Sequence, residues 1–124
     1  MNFEYKAFYY LKLSGRAPLE EYFGHFDRKG FPIAEITTCI DELIKSEGYL
    51  PAPYTKHVWG KLYELRFKAL NGQQRIFYFI HTQRKIILLD GYTKKTAKIP
   101  KRILDRVKNY YFDYLKNGYE KEYE

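Results

Sequence analysis

The sequence predicts an α+β fold, in which three helices pack against a small, mainly antiparallel sheet. Two observations lead to this prediction. Apolar residues recur at helical spacing before residue 45 and after residue 100. Between residues 60 and 92, alternating or continuous apolar runs are typical of strands. With one more strand near the start, the predicted order is βααβββα.

The first third of the chain predicts a strand and two helices. Residues 3–13 are rich in aromatic side chains and partly alternate, and the Ser-Gly-Arg that follows favours a turn. Pro18 suits the first position of a helix. The apolar stripe of this helix is Leu19, Tyr22, Phe23 and Phe26. Pro32 starts a second helix. Its stripe is Ile33, Ile36, Ile40, Leu43 and Ile44.

The middle of the chain predicts a loop followed by three strands. Residues 48–57 contain two prolines and show no usable period, which indicates a loop. The run "GKLYELRFKAL" alternates, so its polar side chains share one face of a strand. They are Glu64, Arg66 and Lys68. The runs "QRIFYFI" and "KIILLDGY" are almost entirely apolar, as in central strands covered on both faces, and "NGQQ" supplies the turn before the first of them.

The last helix is predicted from Pro100 onward, with one apolar and one basic face. The apolar positions are Leu104, Val107, Tyr111 and Leu115. The basic positions are Lys101, Arg102, Arg106 and Lys108. A chain of 124 residues is long enough for one core, so residues 1–118 are predicted to form a single domain and the acidic residues 119–124 to fray.

Composition indicates a polyanionic partner. Lys and Arg number 22 against 15 Asp and Glu, a net charge of +7, which in a small domain favours nucleic acid, although a solubilising charge is the alternative. The single cysteine, Cys39, cannot form an intrachain disulfide, which favours a reducing cytoplasm. We expect no signal peptide, membrane span or membrane partner, because no apolar run is long enough.

Several cationic side chains are candidates for a phosphate site. Arg66 lies on a strand, which holds side chains rigidly, and Arg75 opens an apolar run in which it must reach solvent or meet an anion. Tyr92, Lys94 and Lys95 end the following strand, and neighbouring strands can bring such groups onto one surface. The alternatives are an arginine that extends to solvent, a solvated sheet face with a cross-strand ion pair, and a solvated basic segment before the last helix.

The residue types restrict the chemistry. The three histidines, His25, His57 and His81, lack zinc-site spacing, and no glycine string follows a strand, so we expect neither a metal nor another cofactor. Cleavage of RNA needs none, because the 2′-hydroxyl can attack the adjacent phosphate. The protein then supplies a base, an acid and cations. A tyrosine or lysine acting as base must have its pKa, ordinarily about 10, lowered by neighbouring cations.

Three segments together resemble the HigB-like, phage-derived branch of the RelE/ParE toxin superfamily. They are "WGKLYELRF", "QRIFYFI" and "IILLDGYTKKTAKIPKRIL". Members carry an ELR strand, an arginine followed by aromatic and aliphatic residues, and a G-(F/Y)-x-K-K-x-x-K-x-P segment, here residues 91–100. The resemblance covers residues 3–115. It implies a RelE-like fold and a type II toxin, in many members an endoribonuclease that cuts mRNA on the ribosome and is silenced by a helix-turn-helix antitoxin.

The resemblance also implies roles for individual residues. Arg66 and Arg75 would bind the scissile phosphate and stabilise its transition state. Lys94 and Lys95 would contact phosphate or assist proton transfer, and Tyr92 is our first choice as base. We expect further contacts to the RNA backbone from Lys61, Lys68, Lys98, Lys101 and Arg102.

The chain departs from some ribosome-dependent relatives in ways that leave the base open. Leu62 and Glu64 stand where those relatives have paired lysines, and "KIPKRIL" stands where they have a tyrosine or histidine. His57, His81 and Glu64 are therefore alternatives to Tyr92 as base. Two rival functions also follow: a ParE-like, non-enzymatic inhibitor of DNA gyrase, and a catalytically silent remnant that binds only RNA or an antitoxin.

Overall fold

One six-stranded sheet organises the fold. The structure is a computed structural model and describes residues 4–28, 33–69 and 72–123. The elements are β1 (Lys6–Tyr10), α1 (Pro18–Arg28), α2 (Ile33–Lys45), β2 (Thr55–Trp59), β3 (Leu62–Ala69), β4 (Gly72–His81), a 3-10 turn (Thr82–Arg84), β5 (Lys85–Lys94), α3 (Lys101–Asn117) and β6 (Glu120–Glu122). The predicted α+β class is confirmed.

The strands lie in the order β2-β3-β4-β5-β1-β6. Each pair is antiparallel except β1 with β5, which run parallel. The sheet is therefore mixed but mostly antiparallel, close to the prediction. The central strands β4 and β5 read as almost continuous apolar runs because helices cover both of their faces.

Helices α1 and α2 cover one face of the sheet, and α3 covers the other. Alternation along each strand sends side chains to the two faces in turn. The first face buries Leu19, Ile36, Ile40, Leu43, Leu65, Ile76, Tyr78, Ile86 and Leu88. The second buries Leu62, Phe77, Phe79, Ile87, Leu89, Ile103, Val107, Tyr111 and Tyr114. The stripe predicted for the second helix is confirmed at Ile36, Ile40 and Leu43.

Two strands were not anticipated, and both lie at the edges of the sheet. β2 begins inside the predicted loop of residues 48–57. Lys56 and His57 are exposed, so the strand depends on backbone pairing with β3 rather than on burial of side chains. In the tail, where fraying was expected, β6 pairs with β1. Tyr123 is buried beside it, and Lys85 pairs with Glu120 at 3.0 Å, so tertiary contacts order a segment that is acidic and polar in sequence.

The buried stripe of α3 differs from the predicted one. Ile103 and Tyr114 are buried with Val107 and Tyr111, whereas Leu115 is 47% exposed. Both stripes have helical spacing, so sequence alone does not choose between them. The choice follows from the partner strand, since Phe79 contacts the rings of Tyr111 and Tyr114.

Pro32, the predicted start of the second helix, and Asn71 of the predicted "NGQQ" turn lie outside the described residues. Within the described ranges, no helix is both long and apolar enough to cross a membrane.

Candidate functional site

Three neighbouring strands bring the candidate side chains into one row. The register places Arg66 of β3 opposite Arg75 of β4, and Arg75 opposite Tyr92 of β5. Residues directly opposite each other on paired strands project from the same face, and neighbouring strands lie about 4.8 Å apart. We call Arg66, Arg75 and Tyr92 the arginine row.

Two further rows flank the arginine row on the same face. Toward the end of β3 and the start of β4 lie Lys68, Gln73 and Lys94. On the other side lie Glu64, Phe77 and Asp90. Phe77 packs in the cluster under α3, so the rows occupy the face of the sheet that α3 covers in part. The sheet thus unites Arg66, Arg75, Tyr92, Lys94 and Lys68 from the sequence prediction.

Glu64 joins the two arginines. Arg66 donates from Nε to Glu64 Oε1 at 2.9 Å, and Arg75 Nε lies 3.6 Å from the same oxygen. The carboxylate is 2% exposed, and among the described residues its second oxygen, Oε2, has no hydrogen-bond partner. A single buried carboxylate therefore serves two guanidinium groups.

Arg75 is buried to an extent that is unusual for arginine. It is 4% exposed, and its Nε also lacks a hydrogen-bond partner in the described part of the chain. Its terminal nitrogen Nη1 donates to the Gln74 carbonyl at 2.9 Å. Burial lowers the pKa of the Arg75 guanidinium and the nearby Arg66 charge lowers it further, while Glu64 raises it. The guanidinium stays charged, because arginine titrates far above neutral pH.

Lys94 responds to the same cluster. Partial desolvation lowers its pKa, the charges of Arg75 and Arg66 lower it further, and Glu64 acts in the opposite direction. This is the direction that the sequence argument required of a lysine taking part in proton transfer near neutral pH.

A second buried acid, Asp90, anchors α3. Arg106 donates to Asp90 Oδ2 from Nε and Nη2, both at 2.9 Å, and the Gly91 N–H donates to Oδ1 at 2.8 Å. Burial raises the pKa of the Asp90 carboxyl, and Arg106 opposes that shift. The pair fixes the start of α3 beside the end of β5.

Gly91 explains why a glycine precedes Tyr92. Its Cα faces α1, where a Cβ would lie 2.1 Å from Cδ1 of Tyr22. Tyr22 packs there and donates its hydroxyl hydrogen to Gln74 Oε1 at 2.7 Å. The absence of a side chain at Gly91 lets α1 approach the strand, while the next residue, Tyr92, projects to the opposite face, beside Arg75.

A cleft of about 520 Å³ borders the arginine row. Its lining residues are Cys39, Pro53, Tyr54, Arg66, Phe67, Lys68, Gln73 and Arg75. Both arginines therefore meet a space open to a ligand, although Arg75 exposes little of its surface. Among the described residues, no three His, Cys, Asp or Glu side chains form a group that could hold a metal ion.

The remaining predicted residues lie away from the arginine row. Lys95 and Lys98 are exposed in the segment between β5 and α3. Lys101, at the first turn of α3, is paired with Asp105 at 2.8 Å, and the neighbouring Arg102 is exposed. Lys61 occupies the β2–β3 turn, at the opposite end of β3 from Lys68.

The two histidines proposed as bases do not join the row. His57 projects to the opposite face, where its ring meets Tyr63 and its Nε2 lies 2.6 Å from the Gly60 carbonyl oxygen. His81 is six residues beyond Arg75 on β4, about 20 Å along the strand, and contacts Tyr114. Glu64 is the one alternative base that lies beside the arginines.

Sequence reasoning missed the position of Glu64 between two arginines and the Asp90–Arg106 pair. Alternation did place Glu64 with Arg66 on one face, so an ion pair was foreseeable there. The partnership of Asp90 with Arg106 joins residues from different elements, and no local pattern indicates it.

A comparison with protein families identifies the chain. The family described as phage derived protein Gp49-like (DUF891) matches residues 25–111, which include all three strands of the arginine row. No curated protein matches the chain significantly. Because the match spans more than half of the sequence and the structure has the expected mixed fold, the chain belongs to the Gp49-like family, a family of RelE-like toxins related to toxin–antitoxin systems.

Proposed function

We propose that this protein is a HigB-like toxin of a type II toxin–antitoxin pair and a metal-independent endoribonuclease that cuts mRNA on the ribosome. The observation that carries the proposal is the arginine row: two arginines on adjacent strands share one buried carboxylate beside an open cleft. Its partners would be mRNA, the ribosome and a helix-turn-helix antitoxin in the cytoplasm.

The charge of the row supports an anionic ligand. In the arginine row and the two rows beside it, four positive charges come from Arg66, Arg75, Lys68 and Lys94, and Glu64 supplies one negative charge. The charge of Asp90 is balanced by Arg106, so three positive charges remain on this part of the sheet. A buried arginine is stable only with an anionic partner or solvent. The phosphate of a bound RNA would supply the second anion that the two guanidinium groups lack.

The chemistry needs preorganised donors at the phosphorus. The 2′-hydroxyl loses its proton and its oxygen bonds to phosphorus, and the 5′-oxygen leaves with a proton, giving a 2′,3′-cyclic phosphate and a 5′-hydroxyl. Negative charge accumulates on the phosphoryl oxygens in between, where guanidinium groups held on strands act without reorganisation. Because Glu64 engages Arg66 through Nε, the terminal nitrogens of Arg66 remain for the phosphate.

Proton transfer falls to Lys94 and Tyr92 in this proposal. Lys94 lies in the flanking row that borders Arg75. Its lowered pKa increases the fraction of neutral amine available as a base. Tyr92 lies directly opposite Arg75 and has a hydroxyl that can donate to the leaving oxygen. Glu64 acts as a positioning residue for the arginines.

The test is a reconstituted translation reaction in which mRNA 5′ ends are mapped by primer extension. Wild-type protein should produce new mRNA ends within the translated frame, and stocks treated with EDTA should cut as untreated stocks do. The upstream fragments should end in cyclic phosphate. Arg75→Ala should produce no ends, while Lys116→Ala, which removes an exposed cation near the end of α3, should cut as wild type does.

Intact mRNA in a reaction whose translation nevertheless stops would contradict the proposal. Inhibited DNA supercoiling with intact mRNA would replace it with the ParE-like function. Cutting by a folded Arg75→Ala protein would remove the arginine row from the mechanism.

A further inference from the structure

An exposed pair of aromatic side chains lies at the end of the β2–β3 hairpin. Trp59 is 37% exposed and Phe112 of α3 is 53% exposed, and their rings meet edge to face with centroids 6.0 Å apart. Two aromatic rings exposed in contact with each other form an apolar patch of the kind that binds ligands or partners. We call Trp59 and Phe112 the aromatic corner.

Cations surround the aromatic corner. Lys108 Nζ lies 4.3 Å from the centroid of the Trp59 ring, a cation–π contact. Lys61, two residues after Trp59, and Lys56, three residues before it, are both exposed. The acid nearest to Lys108 along α3, Asp105, is engaged by Lys101 at 2.8 Å. The corner therefore offers ring surface together with positive charge.

The aromatic corner lies on the same face as the arginine row. Trp59 pairs with Leu62, which projects under α3, and Arg66 follows four residues later with the same alternation. The two positions are thus about 13 Å apart along β3. Lys56 lies opposite Glu64, between the row and the corner. Lys56 thus places one exposed cation between the aromatic corner and the arginine row.

We infer that the aromatic corner is a stacking subsite for a base of single-stranded RNA whose backbone follows β2 and β3 away from the arginine row. Its position relative to the cut rests on the proposed function. Bases stack on exposed aromatic rings while cations follow the phosphates, which is the combination seen here.

Trp59 makes the test direct, because it is the only tryptophan in the chain. The probe is 2′-O-methyl oligoadenylate, which lacks the attacking hydroxyl and cannot be cut. An eight-nucleotide probe should quench Trp59 fluorescence strongly and a dinucleotide weakly. An eight-nucleotide probe that is abasic at every position should leave Trp59 fluorescence unchanged when it binds, since stacking needs the base and the phosphates are the same.

Binding of a fluorescein-labelled probe, followed by anisotropy, supplies the second readout. Trp59→Ala and Phe112→Ala should each weaken binding roughly tenfold. Tyr119→Ala is the matched control: it removes an aromatic side chain that is 49% exposed beyond the end of α3, and binding should not change. If Trp59→Ala fails to fold, Phe112→Ala and the fully abasic probe with wild-type protein decide the question.

The inference is wrong if the intact probe binds without changing Trp59 fluorescence, or if the fully abasic probe quenches that fluorescence equally. It is also wrong if RNA leaves the fluorescence unchanged while the antitoxin quenches it, since the corner would then bind protein. None of these readouts requires cleavage. Quenching without any mRNA cutting would refute the proposed ribonuclease activity and support the stacking subsite. Cutting without quenching would support the ribonuclease activity and refute the subsite.

Discussion

Two acidic side chains are buried on the same face of the sheet, and their partners differ. Asp90 has one cation, Arg106, and both of its carboxylate oxygens accept hydrogen bonds. Glu64 has two cations, Arg66 and Arg75, and its second oxygen lacks a described partner. The first arrangement is complete and joins a helix to a strand. The second has surplus positive charge, and the buried Nε of Arg75 donates to no described acceptor, so this cluster is suited to binding another anion.

The largest expected effect is a difference in the rate of mRNA cutting between variants of Arg66, which pairs with Glu64, and of Arg106, which pairs with Asp90. Arg66→Ala should reduce mRNA cutting roughly 100-fold or more, as for the loss of one preorganised donor at a developing negative charge. Arg106→Ala should leave the cutting rate per folded molecule unchanged, because Arg106 is committed to Asp90. Equal losses in both variants, measured as initial rates on the same message, would show that the two acids do not differ in function.

The free energy of unfolding should rank the Arg66→Ala and Arg106→Ala variants in the opposite order. Arg106→Ala leaves Asp90 buried without its cation, and since Arg106 is partly exposed we expect a loss of about 2 kcal/mol in the free energy of unfolding. Arg66→Ala should cost about 1 kcal/mol or less, because Glu64 retains Arg75. Urea denaturation of both variants measures the difference, and a larger loss in Arg66→Ala would contradict this assignment.

The pH dependence of stability should carry the signature of Asp90. Burial raises its pKa above the ordinary 3.8, so between pH 3.8 and the folded pKa the folded protein holds a proton that the unfolded chain has lost. Stability from this group is therefore complete below pH 3.8 and is lost as pH rises through the folded pKa. Asp90→Asn should remove this loss, so the stability of the variant relative to wild type should increase as pH rises. A difference between the unfolding free energies of the two proteins that does not change with pH would refute this role of Asp90.

The smallest effect concerns Lys94. Arg75→Gln should raise its pKa part of the way back toward 10.5, and Glu64→Gln should lower it further, because these neighbours act with opposite signs. Desolvation, the largest cause, remains in both variants. NMR titration of the Lys94 side chain measures both shifts, and shifts of the same sign would contradict the electrostatic assignment.

Much of the fold could be predicted from local patterns. The stripe of Ile36, Ile40 and Leu43 identified α2, and the continuous apolar runs identified β4 and β5. Alternation also placed Glu64 and Arg66 on one face of β3. These features succeed because burial of apolar area acts on each element at its own period.

The missed features depend on partners distant in sequence. β2 and β6 carry little apolar signal and form because β3 and β1 offer free edges. The stripe of α3 was misassigned because two stripes fit the helical period and only the position of Phe79 selects one. Edge pairing and interlayer contacts leave no trace in a local window.

The sequence by itself determined the fold class, the basic character of the surface and the strands that carry the arginines, since each follows from composition or period. Only the tertiary structure decided which of the cations lie together. The antiparallel register set Arg66, Arg75 and Tyr92 side by side and excluded His57 and His81. Register depends on the pairing of whole strands, so the surplus charge beside Glu64 exists only once β3, β4 and β5 have joined.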